Sequence, residues 1–284
     1  MSKTVQCPRC EDESQANAVG HRMKHIIFYS GGAASWAAAK RVAEAHGTDD
    51  LVLLFTDTMM EDADTYRFLR ESAANVGGEL VEISDGRDPW EVFFDSRFLG
   101  NSRVDPCSRI LKREKAATWI KDNCDPETTT LYLGISWDEI HRCEAISRNW
   151  QPYRVEFPLC NEPYLTKHDI HDMAEAEGID RQRLYRMGFP HANCGGFCIK
   201  AGQGHFKILL DTMPKRFAYH ESREQELREH LGRDDIAILR DRAGGDTTPL
   251  TLREFRERIE AGGQCDLFDL GGCGCFTDSE GVED

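Results

Sequence analysis

The chain reads as an α/β protein: a doubly wound, mostly parallel sheet followed by a helical, cysteine-bearing C-terminal region. Three observations predict this. Short apolar runs alternate with helix-period segments through the first half. The run at 51–55, Leu-Val-Leu-Leu-Phe, is apolar at every position, as a strand covered on both faces requires. The first run, at 25–29, ends in a glycine- and serine-rich turn that leads straight into an alanine-rich, helix-favouring segment.

Taken in order, residues 25–29 form the first strand and 34–46 the first helix, with 51–55 the second strand. Residues 62–75 are polar with apolar returns at Tyr66, Leu69 and Ala73, a helical period. A third strand follows at 79–83. Helical spacing returns at 108–122 through Ile110, Leu111, Ala116, Ala117 and Ile120, and a fourth strand lies at 131–135. Beyond residue 153 the texture changes. Thr166 caps a helix with Asp169 in its first turn. A short helix at 181–187 precedes a glycine- and cysteine-bearing loop at 188–204, and helices follow at 214–231 and 252–259. The domain reading is an N-terminal extension (1–23) with Cys7-Pro8-Arg9-Cys10, an α/β domain (24–160), a helical region (161–262) and a Gly/Cys/acidic tail (263–284) expected to fray.

Composition narrows the class. A chain of 284 residues can bury a substantial core, and its formal charge of -15 disfavours a broad, sequence-independent grip on nucleic acid, leaving room only for a local basic patch. No apolar run approaches a membrane span and no signal-peptide core is present, so a cytoplasmic protein is expected. In that setting eleven cysteines point to reduced thiols, metal ligation or catalysis rather than a disulfide scaffold.

Parallel strands joined by crossovers place ligands at their carboxyl ends. That edge gathers Ser30-Gly31-Gly32-Ala33-Ala34-Ser35, Thr56-Asp57-Thr58 and Gly134-Ile135-Ser136. Glycines let backbone amides approach a ligand, and the helix N-terminus after them suits phosphate. The 30–35 segment resembles the pyrophosphate-binding loop of the PP-loop adenine-nucleotide α-hydrolase superfamily, which includes ATP pyrophosphatases and phosphoadenylyl-sulfate (PAPS) reductase-like proteins. No Gly-Lys-Ser/Thr follows, so it is not a Walker loop. Ala34 stands where the commonest PP-loop form has Asp. Residues 56–61 are similar to the family's Asp-Thr-x-x-Glu element, with Asp57 a functional candidate for Mg²⁺ or ribose and Glu61 read as structural. Gly134 through Arg142 resembles the Gly-x-x-x-x-Glu-x-x-Arg element, with Gly134 letting a nucleotide approach and Arg142 a fork for phosphate or sulfate.

Cys107-Ser108-Arg109-Ile110-Leu111-Lys112 and Cys194-Gly195-Gly196-Phe197-Cys198 resemble the family's cysteine segments, which hold an iron–sulfur cluster while basic residues face the phosphates. The resemblance implies a centre on Cys107, Cys194 and Cys198, a [4Fe–4S] cluster with zinc as the alternative, completed by Cys273 or Cys275. Cys124, Cys143 and Cys160 read as isolated small hydrophobes. The implied site is catalytic Asp57, Lys112 and Arg142, with an adenine nucleotide such as ATP on Ser30, Gly31, Gly32, Ala33, Ser35, Thr56 and Gly134. The implied function is an ATP pyrophosphatase-like enzyme adenylating, or transferring sulfur to, a nucleobase (free or in nucleic acid) or small molecule, with a sulfur-donor protein as partner. Two alternatives stand beside it: a sulfonucleotide reductase, whose C-terminal Glu-Cys-Gly-Leu-His signature is missing, and a non-catalytic nucleotide-binding subunit.

Overall fold

In the central strands, residues facing either way are apolar, and helices cover both sides. The computed structural model describes residues 22–100, 104–242 and 246–271. The chain begins β1 (Lys24–Phe28), α1 (Ala33–His46), β2 (Leu51–Asp57), α2 (Ala63–Val76), β3 (Glu79–Ser84) and α3 (Pro89–Ser96). Next come α4 (Pro106–Ser108), a π-helical stretch (Arg109–Glu114), α5 (Lys115–Asn123), β4 (Thr129–Tyr132), a 3₁₀ segment (Trp137–Arg142), α6 (Cys143–Asn149) and β5 (Arg154–Glu156). A 3₁₀ turn (Pro158–Cys160), α7 (Lys167–Ala176) and α8 (Arg183–Arg186) lead to the cysteine loop. The remainder is α9 (Gln203–Thr212), α10 (Pro214–Leu231), β6 (Leu239–Asp241), β7 (Thr248–Leu250) and α11 (Leu252–Glu260).

The sheet has the order β3-β2-β1-β4-β5, and every pairing in it is parallel. Ile27, Leu53 and Phe55 pack under Trp36 of α1, Phe68 of α2 and Ile170 of α7. Their neighbours Ile26, Val52, Leu54 and Leu131 pack on the other face against Ala116 and Ile120 of α5 and Ile146 of α6. The doubly wound α/β class is therefore observed. The chain moves outward from β1 through β2 to β3, then returns to place β4 on β1's other side. That reversal opens a crevice at the carboxyl ends of β1 and β4.

Several boundaries differ from the sequence expectation. The fourth strand ends at Tyr132 because pairing with β1 ends there, which releases Leu133-Gly134-Ile135 to line the crevice. β5, α3, α9 and the antiparallel β6–β7 pair are additional; α3 carries a capping box between Asp88 and Glu91 with Pro89 at its first turn, a signal legible in sequence. The helix expected at 108–122 is broken by its π-helical stretch.

A second core lies beside the sheet domain, built on Trp90, Phe93, Phe197, Phe206, Phe217 and Phe255. The tail expected to fray instead packs over its described part: the Gly204 N–H donates to Asp269 O (2.9 Å) and the Asp266 N–H to Gln203 Oε1 (3.2 Å). Among the described residues no helix is long and apolar enough to cross a membrane.

Candidate functional site

The crevice begins where β1 runs out. Gly31 has φ +70°, a left-handed conformation that favours glycine, and its carbonyl accepts from buried Gln182 Nε2 at 3.0 Å. Gly32 is the N-cap of α1 and supplies no side-chain cap, and the first turn holds no acidic residue. The turn therefore presents a positive helix end without a built-in counter-charge. Ser35 Oγ donates to Gly32 O at 2.8 Å, and Ser30 Oγ to Ser35 Oγ at 3.3 Å, so the two serines brace the loop.

A cavity of about 130 Å³ sits over this turn. Its wall includes Ser30, Ser35, Thr56, Lys112, Gly134 and Arg142, six of the expected site residues from four separate segments. Phe28, Leu54, Phe55, Leu133 and Ile135 make its apolar side, and Asn193 enters from the cysteine loop. Gly31, Gly32 and Ala33 form the turn beneath it, Ala33 buried in the core. Gly134 is glycine for a reason the sequence reading did not give. A Cβ there would lie 2.8 Å from Ala34 O and 2.9 Å from Ser35 N, so its missing side chain admits the first turn of α1 rather than only a ligand.

Asp57 does not line the cavity. Its Oδ1 accepts from the Met59 N–H (2.8 Å) and the Tyr66 hydroxyl (2.7 Å), a turn and a tie to α2. Arg142 pairs with Glu139 three residues before it. Asp138, four residues before Arg142, is bonded by the Ser136 hydroxyl.

Lys112 is buried on the π-helical stretch, with Nζ 3.8 Å from Glu61 Oε1. The structural role read for Glu61 takes the form of a buried junction, while the helix cap is its neighbour Asp62, which accepts from the Asp64 N–H at 2.9 Å. Glu61 is buried, accepts from Thr58 Oγ1 (3.2 Å), and receives the backbone N–H of Cys194. Burial raises its carboxyl above the usual range, against the pull of Lys112. The carboxylate thus joins the end of β2, the lysine and the cysteine loop.

Arg216 reinforces that junction. Its Nη2 donates to Met60 O at 2.6 Å, its Nη1 lies 3.9 Å from buried Asp62, and the guanidinium fills the space a Cβ on Gly195 would need, at 2.0 Å. Cys194 and Gly195 both take positive φ, 52° and 59°. Beneath them, His205 Nε2 donates to Gly196 O (2.9 Å) and stacks on His191 with ring centroids 5.0 Å apart. Burial pushes His191 down to about 3 and His205 to about 4, so both are neutral near pH 7. Sequence reasoning missed Glu61's junction, Asn193, Arg216 and this histidine pair, since each acts through contacts between separate segments that no local period records.

The cysteines assemble less than expected. Cys107 and Cys198 belong to the second core, but among the described residues no three His, Cys, Asp or Glu side chains are grouped to hold a metal ion. The described thiols therefore do not fit a [4Fe–4S] cluster or zinc site as they stand, and no dedicated Mg²⁺ cage is present among the described residues. Cys273 and Cys275, like Cys7 and Cys10, lie outside the described residues. Cys143 and Cys160 are not isolated: their sulfurs are 3.8 Å apart.

No family model matches the chain, and no curated protein matches its sequence. Among solved structures it is similar to the phosphoadenylyl-sulfate (PAPS) reductase from Candida auris in its phosphate complex, with 14% identity and a TM-score of 0.39, over 59% of this chain and 77% of that one.

Proposed function

We propose that this protein is a nucleotide-dependent enzyme of the PP-loop kind, binding ATP or another adenine nucleotide in the crevice and acting at its α-phosphate. The observation that carries the reading is convergence: Ser30, Ser35, Thr56, Lys112, Gly134 and Arg142, singled out from separate motifs, line one cavity at the strand-order reversal. In this reading the α1 turn and both serines hold phosphate oxygens, and the apolar strand ends cover the base. Lys112 and Arg142 neutralise charge that builds on the phosphates as the α–β bond breaks. Mg²⁺ would arrive with the nucleotide and screen the same charge, with Asp57 at the β2 end a candidate carboxylate for it. The activated product would be an adenylate on an acceptor such as a nucleobase, open to sulfur or nitrogen transfer.

Calorimetric titration with ATP, followed by assay of AMP and pyrophosphate release with and without Mg²⁺, tests this. Binding with release of both products is expected; absence of binding would sink the nucleotide reading. One observation favours a second reading. Ala34 lines the cavity and, among the described residues, no carboxylate does, which suits a site that binds a nucleotide or sulfonucleotide without cleaving ATP. Tight binding with no AMP formed would select it.

A further inference from the structure

Cys143 and Cys160 are 17 residues apart in sequence and sit directly behind the cavity wall. Their sulfurs are 3.8 Å apart, and both side chains are buried. Cys160 Sγ donates to Ile135 O at 3.3 Å, and Ile135 lines the cavity. Cys143 is the first residue of α6, whose N-cap is the cavity residue Arg142. Each thiol is therefore one covalent or hydrogen-bonded step from a different wall residue.

We propose that Cys143 and Cys160 form a reversible disulfide that couples the oxidation state of the protein to the nucleotide crevice. The step balances with a peroxide as oxidant. The Cys160 thiolate attacks one peroxide oxygen, giving a sulfenic acid and hydroxide, which takes up the proton the thiol released. The Cys143 sulfur then attacks the Cys160 sulfur, forming the S–S bond and expelling water. In sum two thiols and hydrogen peroxide give one disulfide and two waters; a dithiol reductant reverses the bond. The S–H of Cys143, directed at Cys160, holds the Cys160 thiol below its ordinary range, which favours the attacking thiolate.

Bond formation must draw the sulfurs from 3.8 Å to about 2.05 Å. It pulls the start of α6 toward the Pro158–Cys160 turn and removes the Cys160 bond to Ile135 O. Arg142, adjoining Cys143, moves with it. Because the effect on the crevice rests on the proposed nucleotide reading, the test has two separate arms.

In the first arm, the full chain is reduced, desalted and treated with stoichiometric hydrogen peroxide, then mapped by non-reducing peptide mass spectrometry. A 143–160 link is expected as the earliest product. It should vanish in Cys143→Ala and Cys160→Ala and persist in Cys124→Ser; thiols oxidising elsewhere first, or no such link, would overturn the proposal. If an alanine variant does not fold, Cys143→Ser serves the same comparison. In the second arm, ATP affinity is measured on reduced, oxidised and re-reduced protein. Oxidation should weaken binding about tenfold, the scale of one charge-assisted contact, with recovery on reduction. A link without change in affinity would overturn the coupling. Reduced protein that binds no ATP would instead defeat the nucleotide reading and leave the link to be judged by the first arm.

Discussion

The crevice has two walls of different origin. The sheet wall, Ser30, Ser35, Thr56 and Gly134, comes from the ends of parallel strands, where backbone direction alone brings distant segments to one edge. The helical wall and the junction behind it, with Asn193, Arg216 and the Cys194 loop, are held by particular polar contacts, among them a guanidinium to Met60 O and a backbone N–H to Glu61. Lys112 belongs to neither wall by class, being a buried cation placed by an irregular π-helical stretch. Topology places the first wall, whereas particular polar pairs place the second. The helical side carries its own set of buried titratable groups, His191, His205, His220 and Glu224.

The most severe break of the sheet wall is Gly134→Val. Its Cβ would meet the α1 backbone at 2.8 Å, so α1 must shift. We expect a stability loss of about 3 kcal/mol in chemical denaturation and loss of measurable ATP binding. A stable variant with parent affinity would show the contact to be slack.

Lys112→Ala tests the junction. It strips buried Glu61 of its cation, so stability should fall by about 2 kcal/mol together with a tenfold or greater loss of ATP affinity. Adding Glu61→Gln should restore the stability but not the affinity. Arg142→Ala, at a more open position on the wall, should lower affinity by a similar factor and leave the melting temperature unchanged. Equal stability losses for the two would erase the distinction between them.

The helical side is tested by pH. Glu224 is buried, accepts the N–H groups of Ile238 (2.8 Å) and Leu252 (2.6 Å), and burial pushes its carboxyl up to about 7. A raised native value means the native state binds a proton that the unfolded state, near 4.5, releases. The stabilising contribution is complete below that lower value and lost as pH rises through about 7. Relative to the parent, Glu224→Gln should therefore gain on the order of 1 kcal/mol between pH 5 and pH 8. His191 and His205, with depressed values, act in the opposite direction: their contribution is present above pH 6.5 and lost in acid. Comparing the variant with the parent cancels them. Identical pH profiles would mean Glu224 is ionised throughout.

Asp57→Asn should have the smallest effect, under threefold on ATP affinity, because a turn N–H and Tyr66 already hold its Oδ1. A large loss would restore Asp57 to the nucleotide or its metal.

The sheet and its edge were legible in sequence because strand, turn and helix are written locally. The apolar run at 51–55 announced burial on both faces, and Gly31, at φ +70°, marked the turn. The same logic places Thr56 and Gly134 without knowledge of any contact, since parallel order fixes where carboxyl ends lie. Arg142 was legible only through a motif, and its ion-pair partner is Glu139, three residues before it, rather than Asp138, four before it.

The sequence by itself determined which strand ends share an edge, because that follows from chain direction and right-handed crossovers. Tertiary structure alone decided what stands behind that edge. The structural role of Glu61 has no visible partner until Lys112 is found 3.8 Å away, and Cys143 and Cys160 look isolated until a 3₁₀ turn and α6 bring their sulfurs together. Gly134 looks like an opening for a ligand until the backbone of α1 is seen filling it. Such pairings depend on side-chain reach across elements more than a dozen residues apart. No local period records that distance; it is set when the two cores close on one another and each buried polar group must find a partner.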